Sequence, residues 1–277
     1  MGYFCIVPAA TVIVSTYNQP EWLRKTLWSL EVQDSRDFEV VIADDGSGQA
    51  TAELITEAAQ RAKFPLRHVW HEDTGFRKTE ILNRAIQDSQ SDYLIFTDGD
   101  CLLRRDFVAT HLKRRRPGHF LSGGYYKLVR DVSERVTRSD IVAQRCFDTE
   151  WLHAAGQPSS LKDLKLTRKP WLAGALNRLT PTRPTWNGHN ASTWKAAIVA
   201  ANGFDTRMKY GGEDREFGDR LLHAGLRAVQ IRYSAICVHL DHDRGYVTPE
   251  MVAANRKIWD RTRQEKRQRT AYGITSE

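Results

Sequence analysis

Asp98-Gly99-Asp100 closes the run Tyr93-Leu94-Ile95-Phe96-Thr97, and there the 277-residue chain first places residue types that could do chemistry. Hard divalent cations such as Mg2+ or Mn2+ take oxygen ligands, often few from protein and the rest from phosphate and water. Two carboxylates split by a glycine at the carboxyl edge of a buried strand suit a cation that grips a diphosphate. The plain alternative is an Asp-Gly turn that merely stops a strand. Tyr17-Asn18, Asp44-Asp45 and His71-Glu72-Asp73 bear on the choice. Turn chemistry accounts for one or two such clusters; four on one rim favour a site.

Such a rim needs a scaffold. Thr11 to Ser15, Phe38 to Ala43, Leu66 to Trp70 and Tyr93 to Thr97 read as strands. Between them Leu23, Leu27 and Leu30 recur at helical spacing, a helix is expected from about Ala50 to Ala62, and Ile81, Leu82, Ala85 and Ile86 share one helical face. Near-continuous apolar strands alternating with helices predict an α/β fold with a Rossmann-like, mostly parallel sheet covered on both faces. Right-handed crossovers put the strand ends at one edge, where open α/β sheets bind ligands. The second half is less regular. From about Arg130 to Arg183 periodicity is weak and Pro158, Pro170, Pro181 and Pro184 interrupt the chain, so a partly mobile excursion is expected. Order returns with a helix from Glu213 to Ala224 and short strands over Leu226 to Tyr233 and Ala235 to Leu240.

Composition narrows the class. Hydrophobic residues make up 41% of the chain, with 8 Trp, 9 Tyr and 10 Phe, enough for a substantial core. No run approaches the ~20 apolar residues that span a bilayer, so a soluble or at most peripheral protein is expected. Cys5, Cys101, Cys146 and Cys237 show no C-x-x-C spacing, which argues against a zinc site or disulfide framework and fits a reducing cytoplasm. The net charge of +7 favours acidic partners. It concentrates in Lys113 to Arg116 and in a C-terminal segment where Arg256, Lys257, Arg261, Arg263, Lys266, Arg267 and Arg269 face only Asp260 and Glu265. A solvated helix face is the plain reading. Peripheral contact with anionic lipid at the inner membrane face is the sharper one, helped by Ile258 and Trp259.

Ile13-Val14-Ser15-Thr16-Tyr17-Asn18, then Asp44-Asp45-Gly46-Ser47, then Asp98-Gly99-Asp100 resemble glycosyltransferase family 2, inverting enzymes with a GT-A fold. Gly211-Gly212-Glu213-Asp214-Arg215-Glu216-Phe217 resembles the C-terminal motif of the galactosyltransferase type. The likeness covers roughly residues 10 to 245. It implies a GT-A mixed sheet in one domain over 1–245, with a nucleotide-binding half (10–125), an acceptor-binding half (126–245) and a basic helical tail (246–277).

The resemblance also implies roles. Ser15, Tyr17, Asn18 and Asp45 would hold the nucleotide base and ribose, with Tyr17 stacking on uracil and Asp45 accepting its imide N–H. Arg77 or Lys78, in the basic segment, would approach the diphosphate. Asp98 would touch the ribose or the metal-bound water, and Asp100 would ligate Mn2+ or Mg2+. His239 matches a further metal ligand, with His242 as its rival. Asp214 would be the general base and Glu213 would hold the acceptor sugar. At a helix N-terminus Asp214 is expected to stay ionised. Trp186, Asn187 and Asn190 would line the sugar pocket, although Trp186 reads equally as core.

The expectation is a metal-dependent enzyme that moves a sugar from a nucleotide-sugar, a UDP-sugar by the base-side residues, to a glycan or lipid-linked glycan acceptor in surface polysaccharide synthesis, with no nucleic-acid partner. A nucleotidyltransferase would show a Gly-rich loop, which Ser15 to Pro20 lacks, and a non-catalytic glycan-binding module has no need of Asp98, Asp100, His239 and Asp214 together.

Overall fold

The computed structural model describes residues 7–243 and 248–275; Cys5 lies outside them. Strands β1 (Thr11–Thr16), β2 (Glu39–Asp44), β3 (Leu66–Trp70) and β4 (Tyr93–Asp98) pair in parallel, in the order β3-β2-β1-β4. Their crossovers are helices α1 (Pro20–Glu31), α2 (Gln49–Arg61) and α3 (Lys78–Asp88). Successive strand side chains point to opposite faces, and the core divides accordingly. Val12 and Val14 of β1 pack with Leu23, Leu27, Leu54 and Ile55, whereas Ile13 packs with Ile81, Leu82, Ala85 and Ile86. Both faces of this sheet are thus covered, as its apolar strands require.

Beyond β4 the chain forms β5 (Cys101–Leu103), α4 (Phe107–Arg114), β6 (His119–Ser122) and β7 (Gly124–Lys127). After the excursion come β8 (Ala191–Trp194), α9 (Lys195–Ala200), α10 (Glu213–His223), β9 (Arg227–Gln230), β10 (Ile236–His239) and α11 (Pro249–Gln264), when α5 to α8 are numbered within the excursion. β8 joins the main sheet antiparallel to both β4 and β6, and β9 adds parallel to β6. The sheet is therefore mixed, seven strands wide and mostly parallel. A second sheet has the order β5-β10-β7. Asn190 joins the two: its Nδ2 donates to the Gly124 and Ala235 carbonyls at 2.8 and 2.9 Å, and its Oδ1 lies 3.1 Å from Nε2 of the buried His111.

Residues 130–183 are ordered by packing, which corrects the expected mobile excursion. α5 (Arg130–Arg135), α6 (Arg138–Val142), α7 (Thr149–Ala154) and α8 (Pro170–Leu179) alternate with 3-10 turns at Arg145–Phe147 and Leu161–Leu166. Val132, Val136, Ile141, Cys146, Phe147, Leu152 and Leu166 close over Tyr126, Leu128, Ile236 and Val238 of the small sheet as a third core. Most of these helices have only five or six residues, too few to display a 3.6-residue period. Local caps start them instead, as where the Thr137 and Asp140 side chains satisfy each other's backbone N–H groups.

α11 is docked on α10. Trp259 Nε1 donates to Asp219 at 2.8 Å, Thr262 Oγ1 to Glu216 at 2.8 Å, and Asn255 Nδ2 to the Lys209 and Gly211 carbonyls. Arg215, Arg256 and Arg263 surround the Trp259 indole. That indole is partly buried against α10.

Candidate active site

The carboxyl ends of β1 and β4 open into a cleft of about 1220 Å³, lined on one side by Tyr17, Asn18, Asp45, Lys78, Asp98 and Asp100 and on the other by Asn187, Glu213, Asp214, His239 and His242. Its polar rim is the one that the sequence places at the strand ends. Gly99 donates its N–H to the Ser15 carbonyl at 2.7 Å, and a Cβ there would come within 3.0 Å of that oxygen. The glycine between the carboxylates thus lets the turn lie flat against β1.

Asp100 sits where β4 hands over to β5. Register pairs His239 with Cys101, which brings His239 beside it. His239 Nε2 lies 3.3 Å and His242 Nε2 2.7 Å from Asp100 Oδ2, with the two imidazoles stacked at 12°. All three ligand-type atoms fall within 4.8 Å of one another. Burial opposes charge on Asp100, but the hydrogen bond from His242 and the field of His239 outweigh it and hold its carboxyl below the usual range. His239 and His242 are therefore partners at one carboxylate, which corrects their reading as rivals. Asp98 falls outside the trio, and its Oδ1 accepts from Ser15 Oγ at 2.6 Å and from Lys78 Nζ at 2.8 Å.

Burial disfavours the Lys78 charge, but Asp98, Asp214 and Glu213 overcome this and raise its pKa. Lys78 is thus a fixed cation in the cleft. Arg77 is not: its guanidinium binds Glu80 and Thr74 outside the cleft, and only its backbone N–H reaches inward, to Asp45 Oδ2 at 3.1 Å. Of the two basic residues expected near a diphosphate, Lys78 is the one whose side chain lines the cleft.

On the other flank His71 Nε2 lies 2.8 Å from Asp45 Oδ1, so both Asp45 oxygens are oriented; burial raises its pKa, and the His71 bond pulls the other way. Tyr17 donates to Asp73 at 2.9 Å from the exposed rim, while Asn18 holds the loop through Ser47 Oγ and the Gly48 N–H. Asp44 is a structural acid, satisfied by Ser47 N–H and His68.

Asp214 opens α10. Its Oδ2 accepts the Gly188 N–H at 2.9 Å, and a Cβ on Gly188 would meet that same oxygen at 2.9 Å. Oδ1 is buried and has no hydrogen-bond partner among the described residues. Burial first and the Glu213 charge second push the Asp214 carboxyl up to about 7, against the pull of Lys78. The helix terminus does not keep it firmly ionised, because desolvation and a neighbouring acid outweigh the dipole. Glu213 is itself raised by burial and accepts the Gly211 N–H at 2.8 Å.

Trp186 is 1% exposed and stands edge-on to Phe96, Phe120 and Phe217. It is core beneath the cleft, which corrects the sugar-platform reading; Asn190, fully buried, is likewise corrected to a structural tie. Asn187 remains at the cleft wall, its Oδ1 accepting the Asn190 N–H. The rim residue His71 orients Asp45 from outside the cleft lining, and one cleft residue that the sequence did not single out, Tyr125, packs its ring on His189 and His239. The spacing His239-x-x-His242 was the available signal for the histidine pair.

Residues 11–141 match the family model for Glycosyl transferase family 2. An uncharacterised Bacillus subtilis glycosyltransferase, YfnE, is 27% identical over 89% of this chain and 68% of its own. The validoxylamine A glucosyltransferase of Streptomyces hygroscopicus subsp. jinggangensis is 27% identical over 79% of this chain, which spans only 53% of that protein. Among solved structures, a mannosyltransferase from Pyrobaculum calidifontis in complex with GDP-Man and Mn2+ superposes with a TM-score of 0.57 at 22% identity, over 87% of this chain and 59% of that one. TarS of S. aureus in complex with UDP-GlcNAc gives 0.59 at 17% identity, over 90% and 65%. These structural likenesses establish the GT-A-like fold, and the sequence matches are to glycosyltransferases, with the family 2 model confined to residues 11–141.

Proposed function

We propose that the chain is a metal-dependent, inverting glycosyltransferase that moves a sugar from a nucleotide-sugar, a UDP-sugar, to a hydroxyl of a glycan or glycolipid acceptor. The carrying observation is that the Asp100, His239 and His242 trio and the Asp214 carboxylate line one cleft. One carboxylate with two imidazoles fits a divalent ion that accepts both oxygen and nitrogen, so Mn2+ suits it better than Mg2+. When bound there, the ion supplies Lewis-acid stabilisation of the departing diphosphate. Lys78, held by Asp98, adds a preorganised positive charge for the same leaving group.

Tyr17 offers a ring for the base, and Asp45, fixed by His71 and the Arg77 N–H, keeps lone pairs for the base N–H. Ser15 and Asn18 shape that end through Asp98 and the Gly48 loop. Asp214 Oδ1 has no hydrogen-bond partner among the described residues, so it is available to accept the proton of the acceptor hydroxyl as that oxygen attacks the anomeric carbon opposite the diphosphate. One displacement inverts the configuration and needs no covalent nucleophile. A carboxylate with a pKa near 7 is well matched to this work. Glu213 and Asn187 border the acceptor end. A role in lipopolysaccharide, capsule or exopolysaccharide synthesis on the cytoplasmic side follows from the family likeness.

The test is turnover of a panel of UDP-, GDP- and dTDP-sugars with Mn2+, Mg2+ or chelator. Release of UDP that needs Mn2+ and a product of inverted anomeric configuration are expected. Full turnover in chelator, or a retained anomer, would reject the reading.

A further inference from the structure

We propose that residues 161–183 form a membrane-docking face that seats the enzyme on an anionic phospholipid bilayer. Large apolar side chains crowd the surface of this one stretch: Leu161 is 90% exposed, Leu164 48%, Trp171 71% and Leu179 78%. Leu161 and Leu164 fall on the same side of a 3-10 turn, whose Leu166 anchors in the third core. α8 is fastened on its opposite side. Ala173 is buried, and Asn177 bonds Ser234 Oγ and the Tyr233 N–H. At 3.6 residues per turn, Trp171, Ala175 and Leu179 lie roughly opposite Ala173 and Asn177, so the apolar stripe faces outward. Burial therefore does not account for these side chains.

Charge selects the occupant. Lys162, Lys165, Arg168, Lys169, Arg178 and Arg183 surround the stripe, and the sequence holds no Asp or Glu between Asp163 and Asp205. Asp163 is already engaged by Tyr126 and His153. None of the six cations is in an ion pair among the described residues. Lys165 and Arg168 donate to the Tyr125 and Gln144 carbonyls of the fold, whereas Lys162, Lys169, Arg178 and Arg183 are exposed beside the stripe. Exposed Trp and Leu among such cations match the interface of an anionic bilayer, where indole and leucine enter the headgroup boundary and the cations meet lipid phosphate. A second copy of the chain would place like charges together, and a nucleic acid would leave the apolar stripe without a partner. Lys162 and Lys165 also line the cleft, so the face is continuous with its mouth. An acceptor carried on a lipid would then be presented where transfer takes place, a clause that rests on the proposed function; the docking itself does not.

Flotation of the whole protein with vesicles of phosphatidylcholine alone, or with 30% phosphatidylglycerol, tests this independently of turnover. Binding to the anionic vesicles only, weakened by salt, is expected. Trp171→Ser with Leu179→Ser should cost about tenfold or more in vesicle affinity, and Lys169→Gln and Arg178→Gln roughly fivefold each. Donor hydrolysis in detergent-free solution should be unchanged in all three variants, which separates loss of docking from loss of the enzyme. No vesicle binding, binding that survives the apolar pair, or binding lost only through Arg256→Gln and Arg261→Gln on α11 would overturn the proposal. So would a dimer in solution that Trp171→Ser dissolves, or competition by duplex DNA at equal phosphate.

Discussion

The β1–β4 half and the 130–183 excursion solve opposite problems with the same chain. In the first, long parallel strands and crossover helices build a rigid frame, and polar residues enter only where the strands end. In the second, helices too short to stand alone pack over a small sheet and leave large apolar groups outside. The frame fixes Asp98, Asp100 and Asp45 through backbone register and buried partners. The excursion instead presents surface. Positioning for chemistry thus rests on sheet edges, whereas recognition of larger partners falls to segments held by scattered contacts.

The sharpest way to break this comparison is at the cleft. Asp214→Asn keeps the shape and the Gly188 contact but removes the proton acceptor, so transfer should fall by about 10²–10⁴-fold while nucleotide affinity holds. Wild-type turnover should rise through about pH 7, as the carboxyl loses its proton, and that limb should vanish in the variant. Stability carries the mirror-image sign. The folded-state pKa lies above the unfolded value, so the group's contribution is complete below about pH 4 and is lost as pH rises toward 7. Asp214→Asn should therefore raise Tm at pH 8 relative to wild type and scarcely change it at pH 4. Normal transfer by the variant would remove Asp214 as the base.

The next test asks whether the excursion belongs to the same cooperative unit. Phe147 is buried in the third core beside Leu152 and Ile236. Phe147→Ala should cost about 3–5 kcal/mol, the range for a large cavity in a packed core. Denaturant unfolding followed by tryptophan fluorescence and by nucleotide protection should shift together. A change below about 1 kcal/mol would restore the picture of a loose excursion.

What could be read in advance followed period and length. β1, β2 and β4 were legible because burial on two covered faces demands apolar runs, and β3, a partly exposed edge strand, still matches its expected span of Leu66–Trp70 residue for residue. The short helices over 130–183 were illegible because a five-residue helix such as α6 shows barely more than one turn, and its position is set by packing against α1, distant in sequence. Trp186 failed for a different reason: an aromatic beside a cleft and one beneath it have the same sequence, and only the packing of Phe96 and Phe217 against it decides. His239 and His242 stand as alternatives in the sequence because a strand ending at His239 says nothing of the turn that follows. That turn carries the second imidazole back to Asp100.

The basic pair that begins α3 gives the smallest expected effect and the finest discrimination. Adjacent cations in a helix start look equivalent as sequence, yet the fold gives Lys78 to Asp98 in the cleft and Arg77 to Glu80 outside it. The Arg77 pair is solvent-facing, and such pairs contribute about 0–1 kcal/mol. Its contact with the site, the backbone N–H to Asp45, survives any side-chain change. Arg77→Gln should accordingly leave Mn2+-dependent nucleotide affinity within about threefold, since 1.4 kcal/mol would be tenfold. Lys78→Gln, which uncovers Asp98 and removes the cation facing Asp214, should lose more, with calorimetric titration of UDP resolving the two. If Arg77→Gln were the weaker binder, the guanidinium would have to leave Glu80 for the diphosphate on binding, and the β1–β4 frame would be less preformed than its hydrogen bonds indicate.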